Sequence, residues 1–439
     1  MFPATLVSFA KELPMPPIRI ALCTYSHGLG NGIAHMDAAL AAGLDRTRFT
    51  LETYVLRTDL PDETALRENG AVHIGLAGAY PFLCSVFRDI DIVHVNGALD
   101  PVVCNAAAAS GVPAVIEVMH QTETGGLHPA LDAVVCVSGL VRSVQTHPNA
   151  VVIENGIDTD WFSFLPGARE PGAVNVIQVA NASKQLQWEL GEVLSDGGFP
   201  EVKARMVGSR PANHGLLSMG NITDMPSVYH GADLLFLLES HGAFGLVFAE
   251  AMACGTLPVI SGASGALAFI HPGETGWVVA SGSRREAANV LRQAVDTVHT
   301  PWFIHMQHRA RAVIVAKYSR QRMLADYEKL YAHYGKRPRK PAREPAAWMD
   351  LALFAVLFRQ GVASAYKALD RFIAGTLPLE PSFLRHPMGQ AVVAAVLQAC
   401  PQLWAIGHTG QVRALCARLR ASRVVSPLLD AAETLNADA

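Results

Sequence analysis

Short apolar runs alternate with longer segments rich in alanine and leucine over the first two-thirds of this 439-residue chain. Most of the short runs are apolar throughout, whereas a strand with one face in water would alternate apolar and polar residues. Continuous apolar runs are typical of parallel strands that helices cover on both faces. The first series of predicted strands comprises residues 18–24, 51–56, 92–96, 114–119, 133–137 and 151–154.

A second series of the same kind follows a break at residues 160–173, which is rich in proline and glycine. Its predicted strands are residues 174–179, 204–207, 234–238, 258–261 and 277–280. Two such series predict an α/β protein with two Rossmann-like domains that face each other. Ligands bind at the carboxyl ends of parallel strands, so the facing cleft is the predicted site. The predicted domains are residues 1–165, residues 166–335, and a basic linker with a helical extension at residues 336–439.

Composition limits the class of partner. Half of the residues are hydrophobic and 17% are charged, with 35 Lys and Arg against 38 Asp and Glu and a formal net charge of −3. This is a globular composition without a global basic field for nucleic acid, although it leaves a local patch open. Seven scattered cysteines without a CxxC pair predict free thiols in a reducing cytosol. No signal peptide and no apolar run of ~18 residues is evident, so we expect a cytoplasmic protein.

The segment KRPRKPAREP, residues 336–345, is strongly basic and its prolines exclude regular structure. It follows a predicted helix at about residues 321–334. Two interpretations stay open for it: a solvated linker, or a contact with anionic lipid or phosphate at a membrane surface. The helical extension after it is a candidate surface for a homodimer or another partner.

The motif GAFGLVFAEAMACG, residues 242–255, carries the most specific chemistry. It follows a predicted strand, and Phe244 and Gly245 stand where a turn opens a helix at Leu246. The first N–H groups of a helix have no intrahelical acceptor, and with the helix dipole they suit a diphosphate. Gly245 lacks a Cβ, so a ligand can approach the backbone closely. Glu250, in the second turn, can accept hydrogen bonds from two vicinal ribose hydroxyls.

This motif resembles the signature of family 4 glycosyltransferases, which have the GT-B fold and are also called glycosyl transferases group 1. The resemblance covers about residues 18–334 and implies a nucleotide-sugar donor and retention of anomeric configuration. In the family an acidic residue stands eight positions before the equivalent of Glu250 and contacts hydroxyls of the donor sugar. Gly242 occupies that position in this chain. Glu239 and His241 are near but out of register.

The loop VANASKQ follows a predicted strand of the second domain. The family carries an Arg and a Lys here, both on the donor phosphates. Asn181 stands at about the position of the Arg, and Lys184 remains, unless it is an ordinary surface lysine. A fixed cation would offset the charge that develops on the departing diphosphate. Arg210, after the next strand, is a candidate to replace the missing Arg.

Two further candidates lie in the first domain. Gly30, Asn31 and Gly32 belong to a glycine-rich turn after the first strand, either a plain tight turn or a loop that offers N–H groups to phosphate or acceptor hydroxyls. The family loop lines the cleft, which favours the second role. His120 ends the strand at residues 114–119, where the family has a histidine beside the donor sugar. The resemblance implies that His120 polarises the sugar during transfer, and that residues 121–126 form an acceptor loop.

The sequence contains no HExxH motif, paired cysteines or acidic cluster, and the resemblance implies no metal cofactor, because helix dipole and lysine serve in its place. We therefore predict a glycosyltransferase that acts on a nucleotide sugar and an unidentified acceptor, which could be a saccharide, a lipid-linked group, a small molecule or a macromolecule. Gly242 and Asn181 motivate one alternative, a catalytically degenerate nucleotide-binding partner subunit. The other alternative is a sugar-nucleotide epimerase of the same fold.

Overall fold

The computed structural model describes most of the chain. The described residues are 16–25, 32–57, 59–60, 64–96, 101–122, 125, 128–165, 172–181, 185–195, 198–211, 214, 216–240, 242–343, 348–359, 365–374, 379, 384–385 and 387–437.

The first domain is built on a sheet of eight described strands. They are β1 Ile18–Thr24, β2 Phe49–Arg57, β3 Ala65–Glu68, β4 Ala71–Gly75, β5 Ile92–Asn96, β6 Ala114–Met119, β7 Ala133–Cys136 and β8 Ala150–Val152. The order across the sheet is β3-β4-β2-β1-β5-β6-β7-β8, and every pair is parallel except β3 with β4 at one edge. Helices of this domain are α1 Gly32–Gly43, α2 Ala79–Val86, α3 Pro101–Ala109 and α4 Gly139–Ser143.

The second domain repeats this architecture with seven described strands. They are β9 Val174–Val179, β10 Leu186–Trp188, β11 Val202–Val207, β12 Leu217–Ser218, β13 Leu234–Glu239, β14 Leu257–Ser261 and β15 Trp277–Val279. The order is β12-β11-β9-β13-β14-β15, all parallel, while β10 pairs antiparallel with β13. Its helices are α5 Leu190–Ser195, α6 Met225–His230, α7 Leu246–Ala253, α8 Arg284–Thr297 and α9 Pro301–Lys317. The predicted pair of doubly wound sheets is confirmed.

Helix α10, Arg320–Tyr334, returns the chain from the second domain to the first. The Ser319 hydroxyl accepts from the N–H of Arg322 and caps the helix. Its buried face includes Tyr331, which packs edge-on against Phe49 of β2 with ring centroids 6.1 Å apart. This helix is therefore part of the core of the first domain although it follows the second in sequence.

The basic linker lies along the first domain. The Arg339 guanidinium donates to the carbonyl oxygens of Phe87, Ile90 and Ser110 over 2.8–3.0 Å. Lys340 forms an ion pair of 2.5 Å with Asp132. The first domain therefore anchors the linker through these two cations, although Arg339 stays exposed and Lys340 partly exposed.

The extension contains α11 Met349–Arg359, α12 Ala365–Ala374, α13 Pro387–Ala405, α14 Thr409–Ala421 and α15 Pro427–Ala437. Leu351 and Phe354 of α11 are fully buried, in one hydrophobic cluster with Val102 of α3 and Leu83 of α2. The extension therefore shares a core with the back of the first domain. Among the described residues, no helix combines the length and the apolar character needed to cross a membrane.

Candidate active site

The turn after β13 requires glycine at position 245. Gly245 has φ +94° and caps α7 from the left-handed region. A Cβ on it would lie 2.7 Å from Cδ2 of Phe248 and 3.0 Å from Cβ of Ala266. The first backbone hydrogen bond of α7 runs from the N–H of Phe248 to the carbonyl of Gly245, 3.1 Å away. The N–H groups of Leu246 and Val247 precede it and are those that a ligand at the helix N-terminus would meet.

Phe244 has a packing role. Its side chain is 4% exposed and contacts the rings of Phe269 and Tyr318, with centroids 5.5 and 5.8 Å away. Only its backbone could reach a ligand, so the aromatic ring stabilises the turn that carries Gly245.

Glu250 lies in the second turn of α7, half-buried, as the sequence predicts. The hydroxyl of Tyr229 donates to its Oε2 over 3.1 Å. Tyr229 is fully buried on α6, and burial together with the Glu250 carboxylate raises its pKa well above the usual range. The hydroxyl therefore stays protonated and orients the carboxylate.

The carboxylate of Glu239 occupies the space beside the Cα of Gly242. A Cβ on Gly242 would overlap Oε1 of Glu239 and lie 3.1 Å from Oγ of Ser264. Glu239 is 3% exposed, and the Ser264 hydroxyl donates to its Oε1 over 3.2 Å. The sequence places Glu239 out of register, but the turn folds back and brings its carboxylate against Gly242. Any larger residue at position 242 would collide with the carboxylate of Glu239, so this position requires glycine.

The loops after β9 and β11 adjoin each other. Asn181 is exposed two residues after the end of β9, and the N–H of Arg210 donates to the carbonyl of Ala180 over 3.4 Å. Arg210 forms an ion pair of 2.7 Å with Glu189, a partner that the sequence did not indicate. Lys184 lies outside the described residues.

The two domains meet at the predicted cleft. A Cβ on Gly32, at the start of α1, would lie 2.7 Å from Cδ1 of Leu246, at the start of α7. The hydroxyl of Ser138 in the first domain donates to the carbonyl of Ala243 over 2.5 Å. The structure therefore brings Gly32 to the N-terminus of α7.

Gly30 and Asn31 lie outside the described residues, as do residues 123, 124 and 126 of the predicted acceptor loop.

His120 follows β6 at the carboxyl end of the sheet and is half-buried. Its Nε2 lies 3.0 Å from Oδ1 of Asn96, the last residue of β5. Burial, with a smaller contribution from His94, lowers the pKa of His120 to about 3. The imidazole is therefore neutral at physiological pH.

A set of buried polar residues behind His120 was not singled out from the sequence. It comprises Asp37, His94, Asn96 and Tyr331. The available signal was the pattern IVHVN of β5, in which His94 and Asn96 share one face of an otherwise apolar strand. Within the part of the chain that the structure describes, no group of three or more His, Cys, Asp or Glu could hold a metal ion.

The region around this site matches known proteins. Residues 172–300 match the family model described as Glycosyl transferases group 1. A stretch of 118 residues is 27% identical to N-acetyl-alpha-D-glucosaminyl L-malate synthase from Bacillus anthracis, covering 26% of this chain and 30% of that protein. The chain thus aligns with less than a third of this curated relative.

Solved structures share the whole two-domain architecture. A glycosyltransferase from Rickettsia africae superposes with a TM-score of 0.62 at 15% identity, covering 74% of this chain and all of that one. Anabaena HepE in complex with UDP superposes with a TM-score of 0.55 at 15% identity, covering 72% and 100%. At these identities the likeness shows the fold alone. The chain therefore has the GT-B fold, and residues 172–300, in its second domain, match the group 1 glycosyltransferase family model.

Proposed function

We propose that this protein is a glycosyltransferase that moves a sugar from a nucleoside-diphosphate sugar to an unidentified acceptor, with retention of anomeric configuration. One observation carries the proposal. The open N-terminus of α7, with Glu250 one turn further on, faces the start of α1 across the two domains. A ligand there would touch a helix N-terminus suited to a diphosphate and a carboxylate suited to ribose.

In the proposed complex the diphosphate lies against the N–H groups of Leu246 and Val247. Glu250, oriented by Tyr229, accepts from the ribose hydroxyls. Lys184 supplies the cation, and Arg210 contributes only if its pairing with Glu189 opens. No metal is needed in this arrangement. The likeness in fold to Anabaena HepE, solved in complex with UDP-glucose, supports a nucleotide-sugar donor.

The donor sugar would project towards His120, and the acceptor would enter beside Gly30–Gly32 and residues 121–126. For retention, the acceptor oxygen attacks the anomeric carbon on the face from which the diphosphate leaves. The bond from that carbon to the phosphate oxygen breaks, and the acceptor proton passes to the leaving diphosphate. Contact between the domains excludes water and limits hydrolysis.

The test is a turnover assay with UDP-, GDP- and ADP-sugars and a panel of acceptors, reading both released nucleotide and transferred sugar. We expect Glu250→Gln to lower kcat/KM by about 10- to 100-fold, because a hydrogen bond to a charged group contributes ~1.5–3 kcal/mol. Lys184→Ala should lower kcat. The matched control is Glu274→Gln, an exposed acid of the same domain that pairs with Arg309. Unchanged turnover in both Glu250→Gln and Lys184→Ala rejects the site.

The same assay separates the alternatives. Thermal stabilisation by a nucleotide sugar without any turnover would indicate a degenerate partner subunit. A donor sugar altered at one carbon, without an acceptor, would indicate an epimerase.

A further inference from the structure

A chain of buried polar side chains connects helix α10 to His120. The Tyr331 hydroxyl lies 2.6 Å from Nδ1 of His94, and Nε2 of His94 lies 3.2 Å from Oδ1 of Asn96. The same Oδ1 lies 3.0 Å from Nε2 of His120. The amide Nδ2 of Asn96 donates to Oδ1 of Asp37 over 2.6 Å. All of these residues except His120 are at most 4% exposed.

The chemistry of Asn96 determines where the protons are. Its NH₂ group can only donate, and it faces the carboxylate of Asp37, which accepts. The amide oxygen then faces the two imidazoles, and an oxygen without a hydrogen can only accept. The reversed amide would set its oxygen against the carboxylate and its NH₂ against both rings. Above about pH 7, where Asp37 is ionised, the carboxylate therefore assigns the amide orientation.

The two histidine tautomers follow from this orientation. Nε2 of His94 and Nε2 of His120 must each carry a hydrogen to bond to Oδ1 of Asn96. A neutral imidazole carries one N–H, so Nδ1 of each ring is an acceptor. With this tautomer, the Tyr331 hydroxyl, 2.6 Å away, donates to Nδ1 of His94. Nδ1 of His120 has no hydrogen-bond partner among the described residues, and the ring is half-buried at the cleft end of β6.

We propose that Asn96 is a positioning residue that holds His120 in the neutral, Nε2-protonated tautomer, so that Nδ1 accepts a hydrogen bond from a hydroxyl group of the bound sugar. The identity of the ligand rests on the proposed function, whereas the tautomer does not. His120 then recognises a hydroxyl and delivers no proton. A neutral ring also adds no positive charge beside an anomeric carbon that itself becomes positive during transfer.

Histidine-selective ¹⁵N NMR on the whole chain tests the tautomer directly. The signals of His120 are assigned by their loss in His120→Gln. We expect a neutral ring with the hydrogen on Nε2 at about pH 8, where Asp37 is ionised. A hydrogen on Nδ1, or a doubly protonated ring, overturns the proposal. This measurement needs no turnover, so it decides the proposal even if the protein is not a transferase.

Two variants test the role of Asn96. In Asn96→Leu, which removes the amide at similar volume, His120 should populate both tautomers, and kcat/KM should fall by roughly 10- to 100-fold. Tyr331→Phe is the matched control for the NMR signals, because it removes the donor to His94 and leaves the bond between Asn96 and His120. It should shift the His94 signals only. An unchanged His120 tautomer in Asn96→Leu overturns the proposal, and if that variant does not fold, the wild-type tautomer remains decisive.

A sugar analogue tests the ligand. Replacing the hydroxyl that meets Nδ1 by hydrogen or by O-methyl removes its donor. Among singly deoxygenated donor analogues, one should bind the wild type more weakly than the parent donor does. The same analogue should bind Asn96→Leu almost as tightly as the parent donor binds that variant. If every analogue loses the same affinity, relative to the parent donor, in the wild type and in Asn96→Leu, the acceptor role of Nδ1 is contradicted.

Discussion

At the scale of single residues, Gly245 and Gly273 share a backbone conformation and differ in their surroundings. Both lie in the left-handed region, at φ +94° and +74°. A Cβ on Gly273 would meet no atom within 4 Å, whereas one on Gly245 would press on Phe248 and Ala266. Gly273→Ala should therefore cost ~1–2 kcal/mol for backbone strain alone, and Gly245→Ala ~1–3 kcal/mol more for overpacking. Thermal unfolding of the two variants measures the difference, and equal shifts in Tm would contradict the close contact at α7.

Asp37 gives the molecule a specific pH dependence. Burial raises its pKa to about 7, although hydrogen bonds from Asn96 and Thr24 act in the opposite direction. Between the unfolded and folded pKa values, the folded protein binds a proton that the unfolded chain does not. The contribution of Asp37 to the free energy of unfolding therefore falls by up to ~1.4 kcal/mol per pH unit as the pH rises from about 4 to about 7.

Asp37→Asn removes this contribution while keeping an oxygen that can accept from Asn96. The difference in Tm between variant and wild type should move in favour of the variant as the pH rises to about 7, and then level off. Thermal unfolding of both proteins across that range measures it. Parallel curves would show that Asp37 titrates normally.

Only some residues of the candidate site could be predicted from the sequence. Gly245 and Glu250 were accessible because a strand, a turn and a helix follow each other in sequence. Asn96 was not, because its contact with His120 depends on β5 and β6 being neighbours in the sheet. The position of Glu239 depends on how one turn folds back, and the ion pair of Arg210 depends on a side-chain partner in another loop.

At the scale of elements, most of the buried strands were predictable because helices cover both of their faces. β5, β6 and β9 have the predicted bounds, and the central β13 and β14 differ by one residue at an end. The exposed edge strand β3 was missed, because the sequence ALRE has neither an apolar run nor an alternation. The sequence analysis also missed the buried strand β4, whose short apolar run His73 interrupts, and the short strands β10 and β12. Edge strands held mainly by backbone pairing carry little hydrophobic signal.

The linker joins elements that end far apart in sequence. The guanidinium of Arg339 donates to the carbonyls of Phe87 and Ile90, just after α2, and of Ser110, just after α3. Arg339→Ala should lower stability by ~1–3 kcal/mol, because these carbonyls lose a charged donor. Arg343→Ala is the matched control, an exposed cation of the same linker. Thermal unfolding compares them, and an equal effect of both substitutions would show that linker charge, not the bonds of Arg339, stabilises the fold.

At the scale of the whole molecule, the extension completes the first domain. Leu351 is fully buried in the shared cluster, whereas Val425 is 90% exposed. Leu351→Asp should lower the stability of the first domain by ~4 kcal/mol or more, since it buries a charge without a partner. Val425→Asp should change stability by less than ~0.5 kcal/mol. Hydrogen exchange of β1 and β5 measures the first domain directly, and unchanged protection in Leu351→Asp would mean that the extension folds independently.

Only part of the architecture could be predicted from the sequence. Two sheets and a cleft follow from local patterns repeated along the chain. The placement of α11 on the first domain does not, because it depends on packing against α3, which lies more than 200 positions earlier in the chain.

The proposed transfer requires a nucleoside-diphosphate site at the N-terminus of α7, and calorimetric titration with UDP, GDP and ADP measures binding at that site. At least one of these should bind the wild type, bind Glu250→Gln about tenfold or more weakly, and bind the control Glu274→Gln unchanged. Binding of none of the three, or equal binding to wild type and Glu250→Gln, would contradict the site.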